Sequence, residues 1–205
     1  MKNPYKLNLS KYSTHNVIQK MIGKNKLVLD IGCNEGYMAQ ISDNSNKFYG
    51  IDYSKEVLKN AKKYYVDVSF YDLNNLKKIP WNIKFDVIVF ADVLEHVLFP
   101  DMVLSYFTNK YLKQTGKIII SLPNIANWQI RLNLLFGRFN YSESGILDKT
   151  HLHLYTFKTA KELIAGGNLK IIEVQSGSSI FGYIIELLPF LKGLLTTSIV
   201  YKLKK

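Results

Sequence analysis

Apolar runs and amphipathic stretches alternate along the chain. Lys26-Leu27-Val28-Leu29-Asp30-Ile31 is almost wholly apolar and stops at Gly32, which predicts a strand buried on both faces. Tyr37 to Ile41 suits a helix. Lys47 to Ile51 predicts a second strand, ending at Asp52. Ser54 is placed to cap a following helix that carries Val57, Leu58 and Ala61 on one face. Val66 to Phe70 predicts a third strand, ending near Asp72, and Phe85 to Phe90 a fourth. Met102, Val103, Tyr106 and Phe107 form a stripe at helical spacing. Lys117 to Ser121 predicts a fifth strand, entered through Gly116 and stopped by Pro123. Thr156 to Ala165 returns to helix, closed by Gly166-Gly167. Leu169 to Val174 and Ser198 to Leu203 read as two further strands. Strands alternating with amphipathic helices indicate an α/β fold, a parallel sheet with helices on both faces.

One stretch breaks this alternation. Asn124 to His153 is rich in Asn, aromatics and Arg, shows no clean strand, and reads as an insertion or lid. Its Trp128, Arg131, Arg138 and Tyr141 are candidates to line a pocket for an anionic or sugar-bearing molecule, with lid packing as the plainer role for Trp128, Ile130 and Leu134. A second stretch, Ile180 to Leu195, is strongly apolar. Ile184, Ile185, Leu187, Leu188, Leu191, Leu194 and Leu195 give it a nearly continuous apolar surface, flanked later by Lys202, Lys204 and Lys205. It reads as a helix packed on the sheet or a dimer contact, or, in the other reading, as an interfacial segment that meets a membrane.

Composition narrows the class. The chain has 205 residues, 47% of them apolar, which suits one globular domain rather than a disordered chain. The single cysteine, Cys33, cannot form an internal disulfide and fits a reducing compartment. Met1 to Lys6 lacks the apolar core of a signal peptide, and the run from Phe181 is interrupted by Glu186, Pro189 and Lys192, too soon to span a membrane. The net charge is +11, and residues 102–205 hold 13 basic against 5 acidic residues. That excess favours an anionic partner, or simply a solvated lysine-rich face.

Ligands of open parallel sheets bind at the carboxyl ends of the strands. Read in order, those ends are Asp30-Ile31-Gly32-Cys33-Asn34-Glu35-Gly36, Asp52-Tyr53, Asp72-Leu73 and Asp92-Val93-Leu94-Glu95-His96. Glycines let a backbone approach a ligand closely. The glycine spacing is not that of the dinucleotide fingerprint, which argues against a nicotinamide dehydrogenase. A carboxylate after the second strand can accept two hydrogen bonds from adjacent ribose hydroxyls. An acid and a leucine after the third can meet an exocyclic amine and a flat base.

Five segments taken together are V-L-D-I-G-C-N-E-G-Y (28–37), Y-G-I-D-Y-S (49–54), Y-D-L (71–73), F-D-V-I-V-F-A-D-V-L-E-H-V (85–97) and G-K-I-I-I-S-L-P-N (116–124). With them the chain resembles the class I S-adenosylmethionine-dependent methyltransferases over roughly residues 26–175. The resemblance implies a Rossmann-like, seven-stranded, mostly parallel sheet with a lid. It implies one domain over 1–205, divided into an N-terminal helical cap (1–25), a cofactor-binding core (26–123), the lid (124–153) and a C-terminal helix and strand part (154–205). It further implies that Gly32, Cys33 and Gly36 border the methionine part of S-adenosylmethionine. Asp52 and Tyr53 would then serve the ribose, Asp72 and Leu73 the adenine, with Asp92 beside the cofactor. Asp30 would orient the glycine loop or meet the cofactor's ammonium. Asn34 replaces the family's middle glycine, and asparagine is the residue most able to take the backbone angles required. The segment from Leu122 to Thr156 is similar to a bacterial subgroup close to ubiquinone-biosynthesis O-methyltransferases and associated with glycan or cell-envelope functions.

That resemblance frames the chemistry. Transfer to oxygen needs a group that removes a proton, for which Asp92, Glu95, His96, His151 and His153 are the candidates, Glu95, His96 and His151 foremost. The alternative is a divalent metal held by Asp92, Glu95, His96 and His151, the first three at helical spacing on one face. The [D/N/S]-P-P-[Y/F] signature of amino methyltransferases acting on bases is absent, and Cys33 lies in the glycine loop rather than a Pro-Cys context, so nucleic acid is an unlikely acceptor. The expected acceptor is a small molecule, a glycan or a lipid-linked molecule. The expected place is the cytoplasm, with the membrane's inner face as the variant, for a monomer or homodimer. The competing class is a non-catalytic or partner-dependent cofactor-binding member of a larger envelope or glycan assembly.

Overall fold

The computed structural model describes residues 7–178 and 180–205, so the reading of Met1 to Lys6 lies outside the described residues. Chain order is α1 (Thr14–Ile22), β1 (Leu27–Ile31), α2 (Tyr37–Gln40), β2 (Lys47–Asp52), α3 (Lys55–Ala61), β3 (Asp67–Phe70) and β4 (Phe85–Ala91). It continues with α4 (Pro100–Tyr111), β5 (Leu112–Pro123), α5 (Trp128–Leu135), α6 (Phe157–Gly166), β6 (Lys170–Gly177), α7 (Gly182–Leu187), α8 (Lys192–Leu195) and β7 (Ser198–Lys204). The strands form one sheet in the order β3-β2-β1-β4-β5-β7-β6. Strands β1 to β5 run parallel, and β7 is antiparallel to both β5 and β6. The Rossmann-like, mostly parallel seven-stranded sheet is therefore as the sequence indicates.

Alternation along the central strands explains why this sheet carries two cores. Leu29, Ile31, Ile88, Phe90, Ile118 and Ile120 face one side and pack with Phe107, Leu104 and Ile164. Val28, Val87, Val89 and Ile119 face the other and pack with Ile18, Met21, Met38 and Leu58. A strand buried on both faces has no polar side to give away, hence the unbroken apolar runs. Helix starts follow local chemistry. The Ser13 hydroxyl accepts from the Asn16 N–H, Ser54 accepts from Val57, and Thr156 forms a capping box with Thr159.

Three readings are corrected. On α4 the buried face is Pro100, Val103, Leu104, Phe107, Thr108 and Tyr111; Met102 is exposed, because a helix entered at Pro100 turns that position to solvent. The lid contains a helix, α5, capped by the Asn127 side chain. The stretch from Ile180 is not one helix: Pro189 splits it into α7, a 3-10 turn (Pro189–Leu191) and α8. Of its apolar side chains Ile185 is buried and Leu191, Leu194 and Leu195 are half-buried, whereas Ile184, Leu187 and Leu188 are exposed, so the segment packs with one face only. Among the described residues no helix is long and apolar enough to cross a membrane.

Candidate active site

The order of strands reverses between β1 and β4, and a cavity of about 860 Å³ opens there at their carboxyl ends. It is lined by Asp30, Gly32, Cys33, Asp52, Tyr53, Asp72, Leu73, Asp92, Glu95, His96 and His151, that is, by the residues expected to serve the cofactor and the proton, Gly36 and His153 excepted. Gly36, at the start of α2, stands just behind the loop with φ 86°. A cavity of this size accommodates a nucleoside-sized ligand together with a small second molecule.

The glycine loop is rigid for identifiable reasons. The Gly32 and Cys33 N–H groups both donate to the Ile51 carbonyl, at 2.8 and 3.0 Å. Gly32 has φ 74°, and a Cβ there would lie 2.5 Å from Val93 Cγ2, so only glycine fits. Asn34 takes φ 47°, the left-handed conformation expected of it. Its N–H donates to Asp52 Oδ2 at 2.9 Å, and the Ser54 N–H donates to Asp52 Oδ1 at 2.8 Å. Asp52 is thereby fixed at the end of β2 with acceptor capacity left over on both oxygens.

Asp30 is 1% exposed. Its Oδ2 accepts the Tyr65 hydroxyl at 2.5 Å, and its Oδ1 has no hydrogen-bond partner. Burial pushes its carboxyl up to about 7, with the Tyr65 hydrogen bond opposing and the nearby Asp52 charge reinforcing. On the far wall, the Asp72 carboxylate accepts from the Asn74 N–H at 2.9 Å, which shapes the turn that presents Leu73.

The end of β4 departs from the expected helical face. Asp92 has φ 52°, and only Leu94–His96 form one 3-10 turn. Asp92 Oδ1 instead accepts from Ser121 Oγ at 2.8 Å and Ser198 Oγ at 3.2 Å. The four-member metal set is corrected to three: Glu95, His96 and His151 hold their ligand atoms within 4.8 Å of one another, and Asp92 is turned to the two serines.

The protonation of that trio follows from its partners. His151 Nδ1 lies 3.1 Å from the Ile146 carbonyl, which only accepts, so Nδ1 carries the hydrogen. Thr150 donates its hydroxyl proton to Asp148 Oδ1 at 2.7 Å. The 3.0 Å contact between Thr150 Oγ1 and His96 Nδ1 then requires the imidazole to donate. Both rings thus present Nε2 with a lone pair. His151 Nε2 is 4.0 Å from Glu95 Oε1, and the two rings meet edge to face, with centroids 4.7 Å apart. Glu95 is fully buried and neither carboxylate oxygen has a hydrogen-bond partner. Its carboxyl is held well above its ordinary range, first by burial and then by Asp92 and Asp148. His96 is pushed down, first by burial and then by His151. An orphaned acid facing two imidazole lone pairs is a place for a proton or a small cation.

His153 does not join them: its Nε2 contacts the Val97 carbonyl at 3.0 Å, away from the cavity. Nor do Trp128, Arg131, Arg138 and Tyr141 line the pocket. Arg131 Nε is spent on the Ala126 carbonyl at 2.7 Å, and Trp128 packs on Phe181. The lid reaches the pocket through Gly145, Ile146, Thr150 and His151 instead. Sequence reasoning missed His15, the one histidine outside the motifs, which α1 brings to the same cavity. It also missed Tyr65, which holds Asp30, and Thr150, which fixes the His96 tautomer; only the D-x-T-H run (148–151) hinted at the last.

Sheet order, glycine loop and the acidic residues at successive strand ends make the protein a class I S-adenosylmethionine-dependent methyltransferase. More narrowly, residues 12–179 match the family described as methionine biosynthesis protein MetW, and the chain belongs to that family. It is also similar to the mitochondrial ubiquinone biosynthesis O-methyltransferase of Candida albicans, 39% identical over 107 residues. That match covers 47% of this chain, which spans about a third (32%) of the relative's length. Among solved structures, a possible histamine N-methyltransferase from Thermotoga maritima superposes with a TM-score of 0.66 at 18% identity, covering 94% of this chain and 87% of that one. The magnesium protoporphyrin IX methyltransferase of Synechocystis, with bound S-adenosylhomocysteine, superposes with a TM-score of 0.64 at 14% identity, covering 99% and 90%. At these identities the structural likeness is one of fold.

Proposed function

We propose that this protein transfers the methyl group of S-adenosylmethionine to an oxygen of a small-molecule, glycan or lipid-linked acceptor, with Glu95, His96 and His151 managing the acceptor's proton. The observation that carries the reading is a buried, unpartnered acid at the cavity wall with His151 Nε2 at 4.0 Å and a ring nitrogen of His96 within 4.8 Å.

The residues fit the cofactor. Asp30 Oδ1, buried and without a partner, suits an ammonium group; Asp52 suits a ribose diol, and Asp72 with Leu73 an adenine. Gly32 keeps the methionine side of the cavity free of a side chain, Gly36 lets the loop pack against Ala61 and Tyr65 behind it, and Cys33, Tyr53 and Asp92 complete the cavity wall. S-adenosylmethionine supplies an electrophilic methyl on a sulfonium that is already a good leaving group. What remains for the protein is to position the acceptor and take its proton. His151 or His96 accepts the hydroxyl proton on Nε2. The oxygen lone pair forms the new O–C bond as the C–S pair returns to sulfur, giving the methyl ether, S-adenosylhomocysteine and an imidazolium. Glu95, whose Oε1 lies 4.0 Å from His151 Nε2, is the group beside which that charge forms, and the imidazolium returns its proton to solvent as the product leaves.

A second reading rests on the same orphaned carboxylate. The Glu95 carboxylate with one ring nitrogen each of His96 and His151 forms a donor set suited to a divalent cation, with His151 oriented through Nδ1 by a carbonyl and His96 by Thr150. A cation there would lower the pKa of a hydroxyl brought to it.

The test is transfer of label from methyl-labelled S-adenosylmethionine into fractionated lysate, with and without chelator. Label in a glycan, lipid or small-molecule fraction, lost in His151→Gln at unchanged cofactor affinity, supports the proton role. Loss on chelation with recovery on adding a divalent ion selects the metal. Saturable cofactor binding with no label in any fraction counts against transfer and favours a partner-dependent protein.

A further inference from the structure

Residues 131–145 form fifteen consecutive exposed positions, and six of them carry large apolar or aromatic side chains. Leu132, Leu134, Leu135, Phe136, Phe139 and Tyr141 all stand in solvent, Leu135 at 78% and Phe136 at 68% exposure. Beside them the turn after β6 exposes Ile180 at 82%, and Phe190 past α7 is 78% exposed. Soluble monomers rarely leave so much contiguous apolar surface uncovered.

The two stretches are one unit. Trp128, at the start of α5, packs against Phe181 with centroids 6.2 Å apart. The buried Asn124 side chain donates to the Gly193 and Thr196 carbonyls at 3.1 and 3.0 Å, and Asn127 donates to Thr196 at 3.1 Å. This stitched base also frames the cavity, whose rim includes Pro123, Gly145, Ile146, Thr197 and Ser198.

We propose that this surface, the tip of α5 and its following loop together with the exposed face from Ile180 to Phe190, inserts into the interfacial region of an anionic lipid bilayer and holds the cavity mouth against it. Two features select a bilayer over a protein groove or a second copy. At 3.6 residues per turn, Leu132, Leu134 and Leu135 point in three directions around α5. A groove covers one face of a helix, whereas a lipid medium covers all of them. The unpaired charge is also positive: residues 128–142 hold Arg131 and Arg138 and no acid, Glu143 just beyond is paired with Lys149 at 2.7 Å, Glu186 accepts from the Tyr12 hydroxyl at 2.8 Å, and among the described residues neither arginine is ion-paired. A two-fold contact between copies would bring these arginines together, while an anionic headgroup layer neutralises them. Tyr141 and Tyr183, both exposed, suit the headgroup boundary. The inference adds to the acceptor reading above but does not need turnover, so each can fail without the other.

The experiment is cosedimentation of the full chain with phosphatidylcholine vesicles, with and without a third of phosphatidylglycerol. Binding is expected to the anionic vesicles and to weaken with salt. Leu135→Asn with Phe136→Asn should weaken it by about 100-fold, roughly tenfold for each side chain that no longer inserts. Arg138→Gln should weaken it by about fivefold on anionic vesicles only. These side chains are exposed, so cofactor affinity and thermal midpoint should stay at wild-type values, which separates lost docking from lost folding. Absence of binding to either vesicle overturns the proposal, as does equal binding by the double variant. A concentration-dependent dimer that the double variant abolishes, without vesicle binding, also overturns it and assigns the surface to a second copy.

Discussion

Replacing Glu95 with glutamine isolates the titration of one buried acid. In the fold Glu95 has no exposed surface and no hydrogen-bond partner on either oxygen, and its carboxyl is raised well above its ordinary value of 4.5. In the unfolded chain it ionises normally. Between the two values the native state binds more protons than the unfolded one, so stability is fully present below the unfolded pKa and falls as pH rises, until the folded carboxyl ionises too. The slope approaches about 1.4 kcal/mol per pH unit wherever the two states differ by one proton. Glutamine has the same shape and no titration. Its amide is as unsatisfied as the acid, which adds an offset that does not change with pH. His96 and His151 lie beside Glu95, the charges of Asp92 and Asp148 reach it, and all four remain in the variant, so subtracting the two proteins leaves the Glu95 contribution. Denaturant unfolding at pH values above the unfolded pKa should show E95Q gaining on wild type with rising pH, each ~1 kcal/mol being equivalent to about 2–4 °C in thermal midpoint for a chain of this size. A stability difference that stays flat would show Glu95 ionised in the fold and refute the reasoning. Added divalent cation offers a second arm. If the trio holds it, the ion stabilises wild type more at high pH, because the carboxyl must lose its proton to bind, and leaves E95Q unmoved.

Gly32→Ala meets Val93 Cγ2 at 2.5 Å from a left-handed backbone, and should cost about 2–4 kcal/mol by calorimetry together with loss of S-adenosylmethionine binding. Asp30 titrates near 7, and an ammonium prefers its ionised form, so cofactor affinity measured by titration calorimetry should rise as pH passes upward through that value and lose this dependence in Asp30→Asn. Tyr65→Phe removes the one hydrogen bond to Asp30, should destabilise by about 1–3 kcal/mol, and should move the same inflection to higher pH. His151→Gln should lower turnover by about 10²–10⁴-fold at unchanged cofactor affinity; turnover within twofold of wild type would remove His151 from the proton path.

The sheet was legible because its strands are buried on both faces, which leaves unbroken apolar runs such as Val87 to Phe90, and because its helix starts carry capping residues such as Ser54 and Thr156. The cavity residues were legible because a parallel sheet presents all its strand ends on one side, so position along a strand already assigns Asp30, Asp52, Asp72 and Glu95 to a common mouth. Side-chain direction was not. Helical spacing put Asp92 with Glu95 and His96, but the chain takes a left-handed step at Asp92 and a 3-10 turn after it, and no local signal marks a non-glycine residue for positive φ. The lid misled for a related reason. Its aromatics and arginines were assigned to the pocket by chemistry, whereas the backbone turns them outward and brings Ile146, Thr150 and His151 in. Tyr65 and Thr150 act across the fold on Asp30 and His96, contacts that only tertiary packing creates.

The displacement of Asp92 also sets the electrostatics of the site. Had it faced the trio, a second carboxylate beside Glu95 would have kept one of the two protonated and supplied a donor to the imidazoles. Turned to Ser121 and Ser198, it keeps its own hydrogen bonds while its charge still reaches Glu95 through the protein. Glu95 is therefore raised by a neighbour it does not touch and is left with no donor of its own. A trio arranged in this way responds strongly to an arriving positive charge, whether an imidazolium formed during transfer or a divalent ion. Either one turns the largest electrostatic penalty in the cavity into an attraction. That is why the same carboxylate supports both readings of the chemistry, and why its titration, followed with and without a cation, separates them.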